Sequence, residues 1–104
     1  MRRATIHSTP ELEALARLAA SLRRARRRRR LTQDDMALRM AVSRSTYRAL
    51  EQGNPGVSMG LLLRALFVLG YPERLGSLLD HDPIGDDLDD AYGPKRVRSG
   101  LADF

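Results

Sequence analysis

The strongest constraint on the fold of this chain is the stretch 31–51, LTQDDMALRMAVSRSTYRALE, in which two short helical patterns flank a tight turn. Thr32 is a favourable N-cap, and Asp35 three positions later completes an approximate capping box. A second helix start follows at Ser43, and Gly53 ends the pattern. The stretch therefore predicts two helices joined by a tight turn, the layout of a helix-turn-helix.

Apolar and polar residues lie on different faces of the second predicted helix. Tyr47 and Leu50 are three positions apart and are expected to pack inward with Val42. The outward positions carry short, polar or basic side chains, among them Arg44, and an arginine can bind guanine through two hydrogen bonds. This face is suited to contact with DNA.

The segments LTQ, AVSRST and LEQG, at these separations, resemble the XRE family of lambda-repressor-like DNA-binding domains over roughly Leu12 to Leu79. The resemblance implies an all-α, five-helix, lambda-repressor-like DNA-binding domain. One departure is Ala41, which occupies a turn position that family members usually fill with glycine. A positive φ at this position would cost alanine on the order of 1 kcal/mol relative to glycine.

The resemblance also implies which side chains contact DNA. Arg44, Ser45 and Ala49 would face base edges, where small residues allow a close approach. The positions expected nearer to phosphates carry amide, hydroxyl or guanidinium groups, namely Gln33, Thr46 and Arg48. The predicted DNA-binding set is completed by Ser43, Arg27 and Arg30.

Charge is divided unevenly along the chain. Residues 1–64 contain 14 arginines and five acidic residues, whereas residues 65–104 contain four basic and eight acidic residues, so the two parts carry +9 and −4. The basic part predicts a surface that binds a polyanion. Seven arginines lie within residues 23–30, but they surround a helix, so only two or three are expected to touch one duplex.

Three further helices are predicted around the central pair, and no strand is. Thr9, followed by proline and glutamate, is expected to cap a long amphipathic first helix. Ser58 is expected to cap a fourth helix that closes at Gly70. Pro72 is expected to begin a fifth helix, which carries Leu75, Leu78 and Leu79.

The chain divides into three predicted parts. Residues 1–8 are expected to be a flexible N-terminus and residues 9–80 the helix-turn-helix DNA-binding domain. Residues 81–104 are expected to form an extended C-terminal arm, first acidic and then basic. Apolar residues in this arm favour ordering on a partner, and its composition also fits a disordered tail.

The apolar residues of 61–69 are more than one face of a helix in a small core can cover, so some are expected to face a second subunit. A homodimer is therefore predicted. The residues predicted to contact the second subunit or a partner are large and apolar, namely Leu62, Leu66, Leu69, Leu78, Val97 and Phe104.

Segments 58–70, 82–88 and 94–98 resemble, in addition, the HipB-type antitoxins. That resemblance implies a dimeric repressor that binds double-stranded operator DNA of its own operon and also binds a HipA-like serine/threonine kinase toxin. Two alternatives are a stand-alone phage-type XRE regulator and a protein-interaction adaptor that uses the helix-turn-helix only as a scaffold.

Other classes of function find no support in the residues. The chain has no cysteine, which excludes disulfides and thiolate zinc sites. His7 and His81 have no partner set for a metal or a general base, and Asp80 and Asp82 lack the later oxygen ligands of a calcium loop. The motifs of phosphate loops, zinc proteases and serine hydrolases are missing. We expect no enzyme activity, no metal and no cofactor.

Hydropathy gives no indication of a membrane protein. The apolar run 61–69 is too short to cross a bilayer and is interrupted by Arg64, and the N-terminus lacks the apolar core of a signal peptide. We expect a cytoplasmic, nucleoid-associated protein with no membrane partner.

Overall fold

The computed structural model describes residues 7–93, which contain five α-helices and no strand. The helices are α1 (Thr9–Arg28), α2 (Gln33–Met40), α3 (Arg44–Glu51), α4 (Met59–Leu69) and α5 (Pro83–Tyr92). The prediction of an all-α, five-helix fold is confirmed. Within this part of the chain, no helix is long and apolar enough to span a bilayer. The predicted partner contacts Val97 and Phe104 lie outside the described residues.

The first helix is capped by Ser8, whereas the sequence predicted Thr9 as the cap. The Ser8 hydroxyl oxygen accepts a hydrogen bond from the backbone N–H of Glu11 at 3.4 Å. In return, the Glu11 carboxylate accepts one from the Ser8 N–H at 2.9 Å. This reciprocal capping box makes Thr9 the first helical residue, because a cap needs a side chain that reaches the third helical N–H.

The caps predicted for the central pair of helices are confirmed. The Thr32 hydroxyl accepts a hydrogen bond from the Asp35 N–H at 3.0 Å, and the Asp35 carboxylate accepts one from the Thr32 N–H at 2.8 Å. At the start of α3, the Ser43 hydroxyl accepts a hydrogen bond from the Thr46 N–H at 3.1 Å. Both helix starts are therefore fixed by residues within four positions of each other.

The core lies where α1, α2, α3 and α4 meet. Met36, Met40 and Tyr47 are its largest fully buried side chains. Tyr47 and Leu50 pack inward as predicted. The other buried members of the core are Leu22, Ala37, Ala65 and Leu69. The central pair of helices thus buries one face against α1 and α4 and leaves the other free.

Two arginines close the C-terminal ends of helices. Arg64 donates a hydrogen bond to the carbonyl of Met40 at 3.0 Å, at the end of α2. Arg29 donates one to the carbonyl of Leu69 at 2.9 Å, at the end of α4. The last carbonyls of a helix have no hydrogen-bond donor within the helix and carry partial negative charge. A guanidinium supplies both a donor and a positive charge. These contacts join α4 to α2 and α1 to α4.

Gly53 allows the end of α3 to pack against the backbone of α1. Its φ is +71°, and a Cβ at this position would lie 3.1 Å from the backbone oxygen of Leu15. Any other residue would therefore meet both backbone strain and a steric contact. This glycine holds the helix-turn-helix close to α1.

The fifth helix predicted for residues 72–79 is not present. These residues form successive turns, with a hydrogen bond from the Ser77 N–H to the carbonyl of Glu73 at 3.2 Å. Gly76 lowers helix propensity by about 1 kcal/mol relative to alanine. Only Leu75 among the leucines of this segment is half-buried, so packing does not compensate for that cost.

The fifth helix lies instead inside the arm that the sequence predicted to be extended. Asp82 caps it by accepting a hydrogen bond from the Gly85 N–H at 3.0 Å, and Pro83 follows at the first helical position. An acidic cap followed by proline is a helix start, because proline fixes φ and its missing N–H is not needed there. The arm is therefore helical over Pro83–Tyr92.

The tight turn of the helix-turn-helix places Ala41 in the left-handed region. Ala41 is the C-cap of α2, with φ 57° and ψ 43°. The positive φ considered from the sequence is therefore present. Its N–H donates to the carbonyl of Leu38 at 3.1 Å, so the turn keeps its hydrogen bond and carries the strain of an L side chain.

We predict that Ala41→Gly raises the free energy of unfolding by about 1 kcal/mol, because glycine removes a left-handed penalty that exceeds its own entropy cost in the unfolded chain. Urea unfolding followed by circular dichroism measures the change. The matched control is Ala14→Gly at an exposed position of α1, which should lower stability by about 1 kcal/mol. A loss of stability in both variants would contradict the strain at Ala41.

Candidate nucleic-acid interface

The exposed face of α3 carries most of the residues predicted to contact DNA. Arg44, Ser45, Thr46 and Arg48 are exposed, and Ala49 is half-buried. The opposite face of the same helix is buried in the core. The helix therefore presents a polar and basic surface whose backbone is held rigid from behind.

The Ser43 hydroxyl is engaged at the start of this face. Besides capping α3, it lies 3.1 Å from the hydroxyl oxygen of Ser45 and 2.8 Å from that of Thr46. These contacts fix the side chains of the first helical turn. Ser43 thus has a structural role whether or not it also reaches a phosphate.

A depression of about 460 Å³ lies beside α3. One wall is formed by Ser45, Thr46 and Ala49, and the other by the loop that leads to α4. In that loop, the side-chain oxygen of Asn54 accepts a hydrogen bond from the Gly56 N–H at 2.8 Å. Small side chains leave this flank of α3 open to a ligand such as a nucleic-acid backbone.

A second depression, of about 440 Å³, brings together residues from three elements. It is lined by Arg27 and Arg30 near the end of α1, Gln33 of α2 and Arg44 of α3. Four members of the predicted DNA-binding set therefore share one concave surface, although they span 18 residues of sequence. Arg26 also lines this depression, so four arginines surround one concavity and favour an anionic ligand.

Arg44 has an acidic neighbour in this depression. Its Nε lies 3.5 Å from a carboxylate oxygen of Asp34, and both side chains are largely exposed. Exposed ion pairs contribute little because water screens them, so a stronger partner can replace Asp34. A guanine edge or a phosphate is such a partner for Arg44.

The seven arginines of residues 23–30 divide between interior and surface. Arg26 is buried, Arg29 closes α4, and Arg23 donates a hydrogen bond to the carbonyl of Glu51 at 3.3 Å. The exposed side chains without such a link to another helix are Arg24, Arg27, Arg28 and Arg30. Of these, Arg27 and Arg30 lie in the second depression, beside the start of α2.

A buried ion pair behind the interface was missed from the sequence. Glu51 is 3% exposed and Arg26 is 8% exposed. Arg26 donates two hydrogen bonds to the Glu51 carboxylate, from Nε at 2.6 Å and from Nη2 at 3.1 Å. A third, from Nη1, reaches the carbonyl of Leu31 at 2.9 Å. This arrangement fixes α3 and the start of α2 against the end of α1.

Two further side chains donate hydrogen bonds to the Glu51 carboxylate. Gln33 donates to its Oε1 at 3.2 Å, and the Tyr47 hydroxyl donates to its Oε2. The Gln33 side chain, which also lines the second depression, is therefore oriented from the interior. The carboxylate joins α1, α2 and α3 at the point where their exposed faces meet.

The surroundings of Glu51 keep it ionised. Burial alone would raise the pKa of its carboxyl, but the hydrogen bonds from Arg26, Tyr47 and Gln33 outweigh burial and lower that pKa below its ordinary value. The hydrogen bond to Glu51 raises the pKa of Arg26. Burial raises the pKa of Tyr47, which therefore stays protonated and acts as a donor.

Helical periodicity contained a signal for this cluster. Arg26 follows Leu22 by four positions and Ala19 by seven, so it falls on the buried face of α1. Glu51 follows Tyr47 by four positions on the buried face of α3. A basic and an acidic residue, each alone on an apolar face, indicate a buried pair.

Four of the predicted dimer contacts lie on one apolar surface. Leu62, Leu66 and Leu69 of α4 line a groove of about 300 Å³, together with Leu78 from the turns that follow. The opposite wall comes from α1. Leu62 and Leu66 are half-buried there, and Leu78 is exposed. Leu69 is 5% exposed and belongs to the core of its own chain, so its prediction as a partner contact is wrong.

The described residues contain no group of three side chains suited to hold a metal ion. His7, one of the two histidines considered from the sequence, precedes α1, and its Nδ1 lies 3.7 Å from a carboxylate oxygen of Glu11 in the first turn of that helix. This is a local contact at a helix start.

The sequence profile of a helix-turn-helix domain family matches residues 17–79. Neither the curated proteins nor the solved structures gave a match. The matched part is more than half of the chain, runs from α1 to the turns that follow α4, and contains both depressions. The chain belongs to this helix-turn-helix domain family, which supports its XRE-like character and the role of a DNA-binding regulator.

We predict that Glu51→Gln lowers the free energy of unfolding by about 3 kcal/mol near pH 7, because Arg26 is left buried without a counter-charge. The pKa of Glu51 is lower in the folded protein than in the unfolded chain. The contribution of its ionised form to stability is therefore fully present above the unfolded-state pKa of about 4.3, and it is lost as the pH falls through the folded-state pKa. The difference between the two proteins should therefore narrow below about pH 4.

Urea unfolding at pH 7 and pH 3 measures this difference. The control is Glu13→Gln, which removes an exposed carboxylate of α1 and should change stability by less than about 0.5 kcal/mol. A difference of the same size at both pH values would contradict an ionised Glu51.

Proposed function

We propose that this protein is a transcriptional repressor that binds double-stranded operator DNA in a sequence-specific manner as a homodimer. The observation that carries the proposal is the second depression, where Arg27, Arg30, Gln33 and Arg44 converge beside the exposed face of α3. The basic charge of residues 1–64, +9 in total, supports the same ligand.

In this mode α3 enters the major groove. Arg44, Ser45 and Ala49 face base edges, and Arg44 exchanges Asp34 for the O6 and N7 atoms of a guanine. Gln33 and Arg27 lie on the flank toward α1 and contact a phosphate group. The repressor then combines one specific contact surface with a sequence-independent electrostatic contribution.

A homodimer places two copies of α3 about 34–36 Å apart, so that each reads one half of a palindromic operator. The apolar groove that contains Leu62, Leu66 and Leu78 supports a contact between subunits. Such a protein acts in the cytoplasm, on the nucleoid, and is not an enzyme.

The more specific proposal is an antitoxin of the HipB type, which represses its own operon and binds a HipA-like kinase toxin. Its support is the resemblance of segments 58–70, 82–88 and 94–98 to those antitoxins. Helix α5 lies beyond residues 17–79, the part matched by the domain family. A stand-alone XRE-type regulator is the alternative.

We predict that Arg44→Ala reduces discrimination between operator and nonoperator DNA by about 1–3 kcal/mol, because one bidentate contact to a base is lost. Fluorescence anisotropy with both duplexes at two salt concentrations measures the change. The control is Arg39→Ala, which removes the same charge from an exposed position of α2 that lines neither depression. A wild-type protein that binds both duplexes equally, and so has no operator preference to lose, would favour an adaptor over a DNA reader.

We predict that the protein protects two half-sites, one helical turn apart, in DNA upstream of its own gene. Footprinting with and without the product of the adjacent gene separates the specific proposals. Tighter protection with a kinase-like product supports the antitoxin. Protection that this product leaves unchanged supports a stand-alone repressor, and salt-sensitive binding without protected half-sites contradicts both.

A further inference from the structure

Helix α5 has an apolar stripe that no other residue within the described range 7–93 covers. Ile84, Leu88 and Tyr92 are four positions apart and therefore lie along one side of the helix. They are 75%, 51% and 82% exposed, and no residue of α5 is buried. A helix of ten residues is marginal in water without packing, so this stripe needs a surface that covers it.

The groove between α1 and α4 is a surface of matching character. Its floor and walls are almost entirely apolar, with Leu18 and Leu22 from α1 facing Leu62 and Leu66 from α4. Tyr71 also lines it. With a volume of about 300 Å³, the groove can take several large aliphatic or aromatic side chains, and α5 of the same chain leaves it open.

The edges of the groove are basic. Arg74 lies over the Tyr71 ring, 3.6 Å from the ring centre, and also lines the groove. On α1, the helical spacing places Arg17, Arg24 and Arg28 in a row beside the groove wall. All three are exposed, and Arg24 is held at this edge by a 3.4 Å contact to Ser21, which lines the groove.

The sides of α5 are acidic. Asp87 and Asp89 lie on either side of its apolar stripe, and Asp86 and Asp90 lie behind it. The helix has no basic residue, and two of its aspartates lie in its last turn, where the helix dipole is unfavourable to negative charge. An apolar surface with arginines at its edges matches this helix in both hydropathy and charge.

We propose that α5 of one copy of the chain binds the groove between α1 and α4 of a second copy, and that the exchange is reciprocal. A second copy, and not the same chain, is the occupant because two-fold exchange produces two identical sites and the paired DNA-reading helices that a palindromic operator requires. To that extent, the inference rests on the proposed function.

The exchange is tested by complementation between two full-length variants. Leu88→Asp disables α5 and leaves the groove intact, whereas Leu18→Asp disables the groove and leaves α5 intact. Sedimentation equilibrium measures the mass of each protein against twice 11.7 kDa. We expect a dimer for the wild type, and for each variant alone a dissociation constant raised by about 100-fold or more.

A mixture of the two variants is expected to form a heterodimer, since the intact α5 of one fits the intact groove of the other. Leu78→Asp, at an exposed lining residue, is a second groove variant if Leu18→Asp fails to fold by circular dichroism. Leu38→Asp, at an exposed position of α2 outside the groove, is the control and should remain a dimer.

Three outcomes overturn the inference. They are a monomeric wild type, a dimer that survives both variants, and a mixture that stays monomeric although the wild type dimerises. A monomeric wild type that still protects operator DNA would overturn the exchange and leave the proposed function standing. If the two variants form a heterodimer but Arg44→Ala leaves the discrimination between operator and nonoperator DNA unchanged, the exchange would stand and the proposed function would be overturned.

Discussion

The position of α3, the helix proposed to face DNA, depends on one buried carboxylate, that of Glu51. It accepts hydrogen bonds from Arg26 of α1, Gln33 of α2 and Tyr47 of its own helix. Removing two charges from water costs several kcal/mol per ion, so a buried pair adds little net stability compared with apolar packing. The pair instead fixes the orientation of α3 relative to α1, because a guanidinium that donates two parallel hydrogen bonds to a carboxylate accepts only a narrow range of angles.

The same cluster links the interior to the surface. Gln33 has its side chain anchored on Glu51 and also lines the depression that contains Arg27, Arg30 and Arg44. Arg27 directly follows the buried Arg26 in α1, so its backbone is held by the ion pair next to it. A surface that binds DNA needs charged groups at fixed distances, and the contacts with the core supply such distances for the surface proposed here.

Features of the fold that depend on neighbours in sequence were predictable, and those that depend on distant partners were not. The caps at Thr32 and Ser43 involve residues three positions apart, so the sequence identified both. Arg26 was grouped with six other arginines although its spacing from Leu22 placed it on the buried face of α1, because its partner Glu51 lies 25 residues away in sequence. The fifth helix was misplaced because Pro72 and Asp82-Pro83 are both possible helix starts. Gly76 lowers the helix propensity of the segment that follows Pro72, so the helix forms after Asp82 instead.

The four helices α1 to α4 complete a core without α5, which contributes no buried residue. Under the two proposals, the chain separates two tasks: the first four helices fix the surface proposed to read DNA, and the fifth is free for the proposed contact between copies. If copies are joined through a groove between α1 and α4, the contact lies on the same rigid unit as the reading surface. The distance between two copies of α3 is then set by packing within the dimer, so the half-site spacing of the operator follows from the exchange of α5.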